Sequence, residues 1–310
     1  MNKAELLFSA IDVLGYIPQN SVHYKNVACV KNISYSNIAE DIGDLYFNPT
    51  ILSDGKKHPV IVYYHGGGFI KGDKKYRVSV SEYYADKGYF VFNVNYRMPP
   101  EVVQSGIIAD CITALNFLPK LAEKYAIDLD NIVLTGDSSG AYIASYLAAV
   151  KYNDFLREKF ELEEIKVDFK GVMLMCGIYD IDVLLKGTTL LGVIPETASM
   201  LLDFPFAKDL SNATEYEYYE YISPMKFVND KWCSTFICWA DDDLICQGQG
   251  EPMAEILKEC VPLFASYHCK GILNNHCYHL MLRGSKYAKE CMSASVKFLE
   301  ELFSKDTVKA

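Results

Sequence analysis

The chain has 310 residues, of which 50% are hydrophobic and 23% are charged, and its formal net charge is −10. These values are typical of a globular protein with a sizeable core, built as one large α/β domain or as two ordinary domains. The negative charge argues against a surface that follows a phosphate backbone and excludes nucleic acid from the expected partners.

The N-terminal 20 residues are apolar in part, but Glu5 and Asp12 interrupt the apolar stretch and no small-residue cleavage site follows. A secretory signal is therefore not expected, and since no run of about 20 apolar residues occurs, no membrane span is expected either. The ten cysteines are scattered, and Cys176 and Cys238 stand inside apolar runs. This pattern predicts buried free thiols and a cytoplasmic location.

From residue 58 onward, short apolar runs rich in aromatic and β-branched residues alternate with longer segments of helical spacing. Strands are predicted over 59–65, 89–96, 131–135, 171–179, 234–240 and 263–269. Helices are predicted over 79–88, 107–127, 141–152 and 252–260 and near the C-terminus. Such alternation is typical of the α/β class, with a mostly parallel, doubly wound sheet and helices on both faces.

Two segments depart from this alternation, the first 45 residues and the stretch 182–221. The second segment falls between two predicted strands and is too long and too apolar for a plain connection. Both are interpreted as cap segments over the carboxyl edge of the sheet, where open α/β folds bind ligands. The prediction is a single domain, 1–310, with 1–45 and 182–221 as its cap.

The motif "GDSSG" places Ser138 at the centre of G-x-S-x-G, between a predicted strand and a predicted helix. That context favours a nucleophile on a sharp strand-to-helix turn. Ser139 does not fit the same frame, because Asp137 and Ala141 stand where glycines would be needed. The alternative is a serine that merely caps the helix, since serine is a preferred N-cap residue.

The second motif is "HGGGF", which begins at His65 after a predicted strand. Three consecutive glycines leave backbone N–H groups unobstructed, so they can point at a developing oxyanion. A flexible turn and a phosphate-binding loop are the alternatives. The sequence after the glycines lacks the Gly-Lys-Ser/Thr of a Walker loop, and its spacing does not fit a dinucleotide fingerprint.

Taken together and in this order, "YYHGGGFIKGD", "NVNYRMPPE" and "LTGDSSGA" resemble the hormone-sensitive-lipase-like and feruloyl-esterase-like branch of the α/β-hydrolases. The resemblance extends in arrangement over about residues 40–303 and is weak in the two cap segments. It implies the α/β-hydrolase fold. It also implies an oxyanion hole formed by backbone N–H groups within Gly66, Gly67 and Gly68, with Gly67 and Gly68 favoured, and by that of Ser139.

A triad in this fold follows the order serine, acid, histidine. The acid is expected in "ADDDLI" after a late strand, where the family's Asp-x-Leu pattern matches Asp242, with Asp243 as a rival. The base is expected beyond the last strand, which leaves His276 and His279. A histidine followed two positions later by an aromatic residue resembles the family's catalytic loop, so His276 is preferred and His279 is interpreted as a structural neighbour.

The resemblance implies a serine carboxylic-ester hydrolase that acts on small esters with short-chain or sugar-borne acyl groups, with no cofactor and no metal. A zinc site formed by Cys269, His276, Cys277 and His279 lacks the spacing of structural zinc sites. An amidase or peptidase of the same fold and a non-catalytic ligand-binding receptor remain alternatives. The sequence leaves open whether the chain forms a homodimer.

Overall fold

The computed structural model describes residues 2–186, 192–271, 275–281 and 283–304, and in these residues eight strands form one sheet. The strands are β1 (Ala28–Ser34), β2 (Ile42–Phe47), β3 (His58–Tyr64), β4 (Phe90–Val94), β5 (Ile127–Asp137), β6 (Gly171–Met175), β7 (Ser234–Ala240) and β8 (Phe264–Cys269). Their order is β1-β2-β4-β3-β5-β6-β7-β8. Only β2 runs against its two neighbours, and the pairs from β4 to β8 are parallel.

Helices connect the parallel strands and pack on both faces of the sheet. They are α1 (Lys3–Gln19), α2 (Val78–Asp86), α3 (Gln104–Asn116), α4 (Leu118–Ala122), α5 (Ser139–Tyr152), α6 (Asp154–Lys159), α7 (Ile181–Lys186), α8 (Val193–Leu202), α9 (Gly250–Cys260), α10 (Tyr278–Met281) and α11 (Lys286–Ser304). Single 3₁₀ turns occur at Pro49–Leu52, Lys74–Arg77, Ala213–Glu215, Tyr219–Tyr221 and Pro224–Phe227. The predicted α/β class with a mostly parallel, doubly wound sheet is confirmed.

The alternation of side chains along each strand divides the core into two layers. On β3, Val60 and Val62 face the layer that contains α3, α4 and α5. Ile61 and Tyr63 face the opposite layer, which contains α2 and α11. Because both faces of the central strands are covered, these strands are almost continuously apolar.

The helix predicted over 107–127 is divided in two. α3 ends at Asn116, and α4 starts at Leu118 with Pro119 in its first turn. Proline has no N–H to donate and its fixed φ suits the first turn of a helix, so the chain restarts at this residue.

The structure corrects the predicted extent of the N-terminal cap segment 1–45. Within it, β1 and the first half of β2 extend the sheet, and α1 is the part that reaches the carboxyl edge. In the segment 182–221, α7 and α8 lie at the same edge, and α8 contacts α1. Residues 1 and 187–191 of these two segments lie outside the described residues. Across the described chain, no helix is both long enough and apolar enough to cross a membrane.

Candidate active site

Ser138 stands at the turn between β5 and α5 in a conformation that serine rarely adopts, with φ 54° and ψ −121°. A positive φ at a residue other than glycine costs on the order of 1–3 kcal/mol, so the surrounding structure must hold it. The N–H of Ser138 donates to the carbonyl of Met175 at 3.0 Å. Its side chain makes no capping hydrogen bond to α5, so the hydroxyl is not used to begin the helix.

The glycines of the motif are required by the close approach of three backbone segments. A Cβ on Gly140 would overlap the carbonyl oxygen of Tyr64 at the end of β3. A Cβ on Gly136 would overlap the carbonyl group of Gly140 and lie 2.6 Å from the same oxygen of Tyr64. The two glycines therefore let α5 start directly against β3 and β5, which fixes the position of Ser138 between them.

Asp137, the residue before the serine, anchors the turn through a buried ion pair that sequence reasoning missed. Its two carboxylate oxygens accept from Nε and Nη2 of Arg77, each at 2.6 Å, and Tyr63 donates to Oδ1 at 3.0 Å. The remaining Nη1 of Arg77 donates to Oε1 of Gln19 at the end of α1. Sequence spacing gives no signal for this pair, because 60 residues separate its partners.

The three glycines of "HGGGF" lie beside this turn. Gly67 and Gly68 have positive φ, and a Cβ on either would overlap its surroundings, the carbonyl of Lys71 for Gly67 and the ring of Phe8 for Gly68. Among the described residues, no hydrogen bond is given by the N–H groups of Gly67, Gly68 or Ser139. Gly66 packs its α-carbon against Asp137 and Ser138, where an added Cβ would lie 3.0 Å from that of Ser138.

His65 contacts the backbone of the glycine loop. Its ring is fully buried and stacks on Tyr96 at a centroid distance of 4.5 Å, and its Nδ1 lies 3.0 Å from the carbonyl oxygen of Gly66. Burial lowers the pKa of His65 to about 4. The imidazole is therefore neutral at ordinary pH and fixes the loop through this contact.

The structure brings Asp243, and not the predicted Asp242, to His276. Nδ1 of His276 lies 2.9 Å from Oδ2 and 3.0 Å from Oδ1 of Asp243. Asp243 is buried, and its Oδ1 also accepts the N–H groups of Ile245 and Cys246. Asp242 is exposed, and the contact with His276 that was predicted for Asp242 is made by Asp243. In the turn after β7, Asp241 and Asp242 are exposed and Asp243 is buried.

The charges of Asp243 and His276 stabilise each other. Burial disfavours the imidazolium, but the neighbouring carboxylate outweighs burial and holds the pKa of His276 well above its usual value. Burial likewise disfavours the carboxylate, but His276 and two backbone N–H groups keep the pKa of Asp243 below its usual value. The pair is therefore arranged to accept a proton on His276.

Asn275 joins the loop of the acid to the loop of the base, a role that sequence reasoning missed. Its Oδ1 accepts the N–H of Leu244 at 3.1 Å and the N–H of His276 at 2.7 Å. One amide oxygen thus holds together two loops that are 31 residues apart in the chain. The "NNH" sequence before the histidine contains this residue but gives no indication of its partner.

Ser138 lies where two cavities meet. The first is almost entirely apolar and contains side chains of α1, α7 and α8, among them Leu7, Leu185 and Leu201. The second contains His276 together with Asp12, Gln19 and Arg77. Phe8, Gly68, Ser138 and Ile245 line both cavities. Ser138 and His276 thus line one cavity, and Asp243 contacts Nδ1 of His276.

Within the described part of the chain, two groups of side chains have ligand atoms close enough to hold a metal ion, and neither is the cluster considered in the sequence analysis. The first is Cys176, Cys238 and His279, all buried, and burial lowers the pKa of His279 to about 3. The second is Asp243, Cys246 and His276. A metal ion in the second group would bind the side chains of Asp243 and His276 in place of their contact with each other. The thiols of Cys176 in the first group and Cys246 in the second have raised pKa values, which disfavours thiolate ligands in both groups.

The chain is similar to several known esterases. The BD-FAE family model matches residues 44–257. Esterase LipI of Mycobacterium tuberculosis is 29% identical over 133 residues, 43% of this chain and 41% of that protein. Tuliposide A-converting enzyme 2 of Tulipa gesneriana is 30% identical over 115 residues, 34% of this chain and 30% of that protein. The matched segment is thus less than half of either relative.

Among solved structures, esterase B of Lactobacillus rhamnosis superposes with a TM-score of 0.83 at 20% identity, over 99% of this chain and 96% of that one. The same esterase is also known with a C4-C4 SN3 tributyrin phosphonate as inhibitor. At this level of identity the superposition establishes the fold, and it confirms the predicted α/β-hydrolase architecture.

Proposed function

Because the chain belongs to the BD-FAE family and has the α/β-hydrolase fold, we propose that it is a carboxylesterase with Ser138 as its nucleophile. One observation carries the proposal: the strained Ser138, with its hydroxyl uncommitted, shares a cavity with His276, whose Nδ1 meets the carboxylate of Asp243. This combination of nucleophile, base and orienting acid is the arrangement that activates a serine.

In the proposed mechanism, Nε2 of His276 takes the proton of Ser138 as its oxygen attacks the ester carbonyl. The N–H groups of Gly67, Gly68 and Ser139 donate to the oxyanion that forms. His276 then gives its proton to the leaving alcohol, and an acyl-enzyme remains on Ser138. A water molecule, deprotonated by His276, attacks this ester, and His276 returns the proton to the oxygen of Ser138 as the acid is released. Asp243 holds the tautomer of His276 and stabilises its charged form.

The apolar cavity supports a short acyl chain as the group retained on the serine. It is lined by branched and aromatic side chains, including Phe69, Ile178, Ile181 and Val193, and has a volume of about 70 Å³. Since one water-sized group needs roughly 10–15 Å³, the cavity suits a chain of a few methylene groups. An acyl group of about butyryl size is the proposed substrate moiety, and a sugar-borne ester with such a group fits the same scheme.

An amidase or peptidase shares the attack on the carbonyl and is the second candidate function. It differs in the leaving group, which must be protonated earlier because an amine leaves less readily than an alcohol. The small volume and apolar lining of the acyl cavity suit a short acyl chain better than an extended peptide, which favours the esterase. A cytoplasmic location, no metal or cofactor requirement and no nucleic-acid partner belong to the same proposal.

The test is the intact mass of the protein after exposure to a small fluorophosphonate, measured on wild type, Ser138→Ala and Ser139→Ala. Ser139→Ala is the matched control, because the buried Oγ of Ser139 has no hydrogen-bond partner and only its N–H has a role. One adduct is expected on wild type and on Ser139→Ala, and none on Ser138→Ala. An adduct that persists on Ser138→Ala would overturn the assignment of the nucleophile.

A second measurement separates the two candidate reactions. The kcat/KM for p-nitrophenyl butyrate is compared with that for the matching p-nitroanilide. Faster hydrolysis of the ester by several orders of magnitude supports the esterase. Comparable rates would favour the amidase, and no turnover of either compound by a folded wild-type protein would favour a non-catalytic receptor.

A further inference from the structure

The second cavity is lined by His276 and by charged side chains, unlike the acyl cavity, and the proposed mechanism does not yet assign a group of the substrate to it. Under the proposed mechanism His276 must reach the oxygen of the leaving alcohol, because it donates the proton that frees it. Of these two cavities, the first is lined almost entirely by apolar side chains, and the second is lined by His276, Asp12, Gln19 and Arg77 as well as by apolar side chains such as Ile11 and Met281. The acyl group therefore occupies the first cavity and the alcohol extends into the second.

Most of the charged atoms beside the second cavity already have partners within the protein. Arg77 uses Nε and Nη2 for Asp137 and Nη1 for Gln19, and the carboxylate of Asp137 is satisfied by Arg77 and Tyr63. These groups hold the turn of Ser138 and are not free to bind a substrate. Any polar recognition of the alcohol must come from the remaining side chains.

Asp12 and Gln19 supply the free polar atoms. Oδ2 of Asp12 accepts the N–H of Gly72 at 3.0 Å, and among the described residues no group hydrogen-bonds to its Oδ1. Oε1 of Gln19 accepts from Nη1 of Arg77, and no acceptor for Nε2 of Gln19 is present among those residues. The two residues stand seven positions apart on α1 and so lie on one face of that helix, the face that lines the cavity. The cavity thus offers one free acceptor and one free donor.

A free acceptor beside a free donor is what a hydroxyl group needs, since a hydroxyl both donates and accepts. A plain alkyl alcohol would cover Asp12 without replacing the water lost from it, at a free-energy cost. An anionic alcohol would be repelled by the carboxylate of Asp12, because the charge of Arg77 is already balanced by Asp137. An uncharged alcohol with further hydroxyl groups meets both conditions and uses the free acceptor and the free donor together, whereas a cation would leave the donor of Gln19 without a partner.

On these grounds, and resting on the proposed esterase function, we propose that α1 forms an alcohol subsite in which Asp12 and Gln19 select esters of polyhydroxy alcohols, such as glycerol or a sugar. Asp12 accepts a hydroxyl hydrogen of the alcohol and Gln19 donates to a hydroxyl oxygen. The helix thus contributes its inner apolar side chains to the acyl cavity and its polar pair to the alcohol.

The experiment compares two esters that have the same acyl group and carbon skeleton, 1-butyrylglycerol and propyl butyrate. Wild type is expected to have a kcat/KM at least tenfold higher for the glycerol ester. In Asp12→Asn this ratio is expected to fall about fivefold, because a hydrogen bond to a charged acceptor is roughly twice as strong as one to a neutral acceptor. Asparagine keeps an oxygen for the N–H of Gly72, so the loop is preserved.

The matched control is Val13→Asn, which introduces the same side chain at the next position, on the exposed side of α1. Its ratio is expected to equal that of wild type. An equal kcat/KM for the two esters in wild type, or an unchanged ratio in Asp12→Asn, overturns the alcohol subsite while the esterase function stands. A preference for butyrylcholine over both esters would show a cation site instead. If wild type hydrolyses neither ester, the proposed function fails and this inference fails with it.

Discussion

Three consecutive aspartates, 241–243, have three different surroundings. Asp241 is exposed and pairs with His268, Asp242 is exposed, and Asp243 is buried against His276. The Asp-x-Leu pattern matched Asp242 because a sequence pattern records spacing only. Which of three adjacent carboxylates turns inward depends on the backbone N–H groups of Ile245 and Cys246, which bind Asp243. This dependence is not readable from spacing.

At this scale we predict that Asp243→Asn lowers the kcat for p-nitrophenyl butyrate by about 10³–10⁴-fold, because the amide favours the wrong tautomer of His276. The matched variant Asp242→Asn, at an exposed neighbour, is expected to stay within about twofold of wild type. Steady-state kinetics on the two variants measures the difference. A larger loss in Asp242→Asn than in Asp243→Asn would return the acid to position 242.

The pH dependence of kcat/KM reports the same pair. His276 must be neutral to accept a proton, and Asp243 raises the pKa of His276 above its usual value. Activity in wild type should therefore rise with pH through an apparent pKa above about 6.5, the ordinary value for histidine. In Asp243→Asn the carboxylate is gone, so the residual activity should rise at lower pH. A profile that shifts to higher pH in this variant would contradict the pairing.

At the scale of elements, the long periodic segments were predictable and the edge of the sheet was not. The central strands are apolar on both faces and were assigned from that pattern alone. β2 was not predicted because Gly43 and Asp44 interrupt its apolar pattern. A Cβ on Gly43 would overlap the ring of Phe92, and the buried Asp44 is paired with Lys74 at 2.7 Å. Both residues are explained only by their partners Phe92 and Lys74, which lie far away in the sequence.

The link between elements that we expect to matter most is the buried pair of Arg77 with Asp137. We predict that Arg77→Met destabilises the fold by about 3–5 kcal/mol, because it leaves the carboxylate of Asp137 buried without its partner. The matched variant Arg97→Met breaks a similar pair with Asp110, but Arg97 is 29% exposed. It should cost less, and urea unfolding of both variants tests the ranking. An equal or smaller loss in Arg77→Met would contradict the role given to its pair.

For the molecule as a whole, the ten cysteines give a quantitative test. All ten are free thiols, and only Cys29 and Cys260 are partly exposed. Burial raises the pKa of Cys29 to about 11, so its thiolate is scarce at neutral pH. We predict that Ellman's reagent labels Cys260 fast and Cys29 slowly in the native protein, and all ten cysteines in denaturant.

The control for this experiment is Cys260→Ser, in which the fast phase should disappear. Fast labelling of more than two thiols in the native protein would mean that the core opens readily. The sequence predicted the free thiols from their apolar surroundings, which is the kind of inference that composition and local pattern support. The grouping of Cys176, Cys238 and His279 could not be foreseen, because it depends on how β6, β7 and α10 meet.

The N-terminal helix has a consequence for anyone who trims this chain. The family match starts at residue 44, yet Gln19 completes the contacts of Arg77, and Asp12 holds the N–H of Gly72. A protein cut back to the family boundary would lose one wall of both cavities, and a buried guanidinium would lose a partner. We expect such a shortened chain to fold poorly and to bind substrate weakly. The part of the chain that forms the proposed active site is therefore longer than the stretch by which its family is recognised.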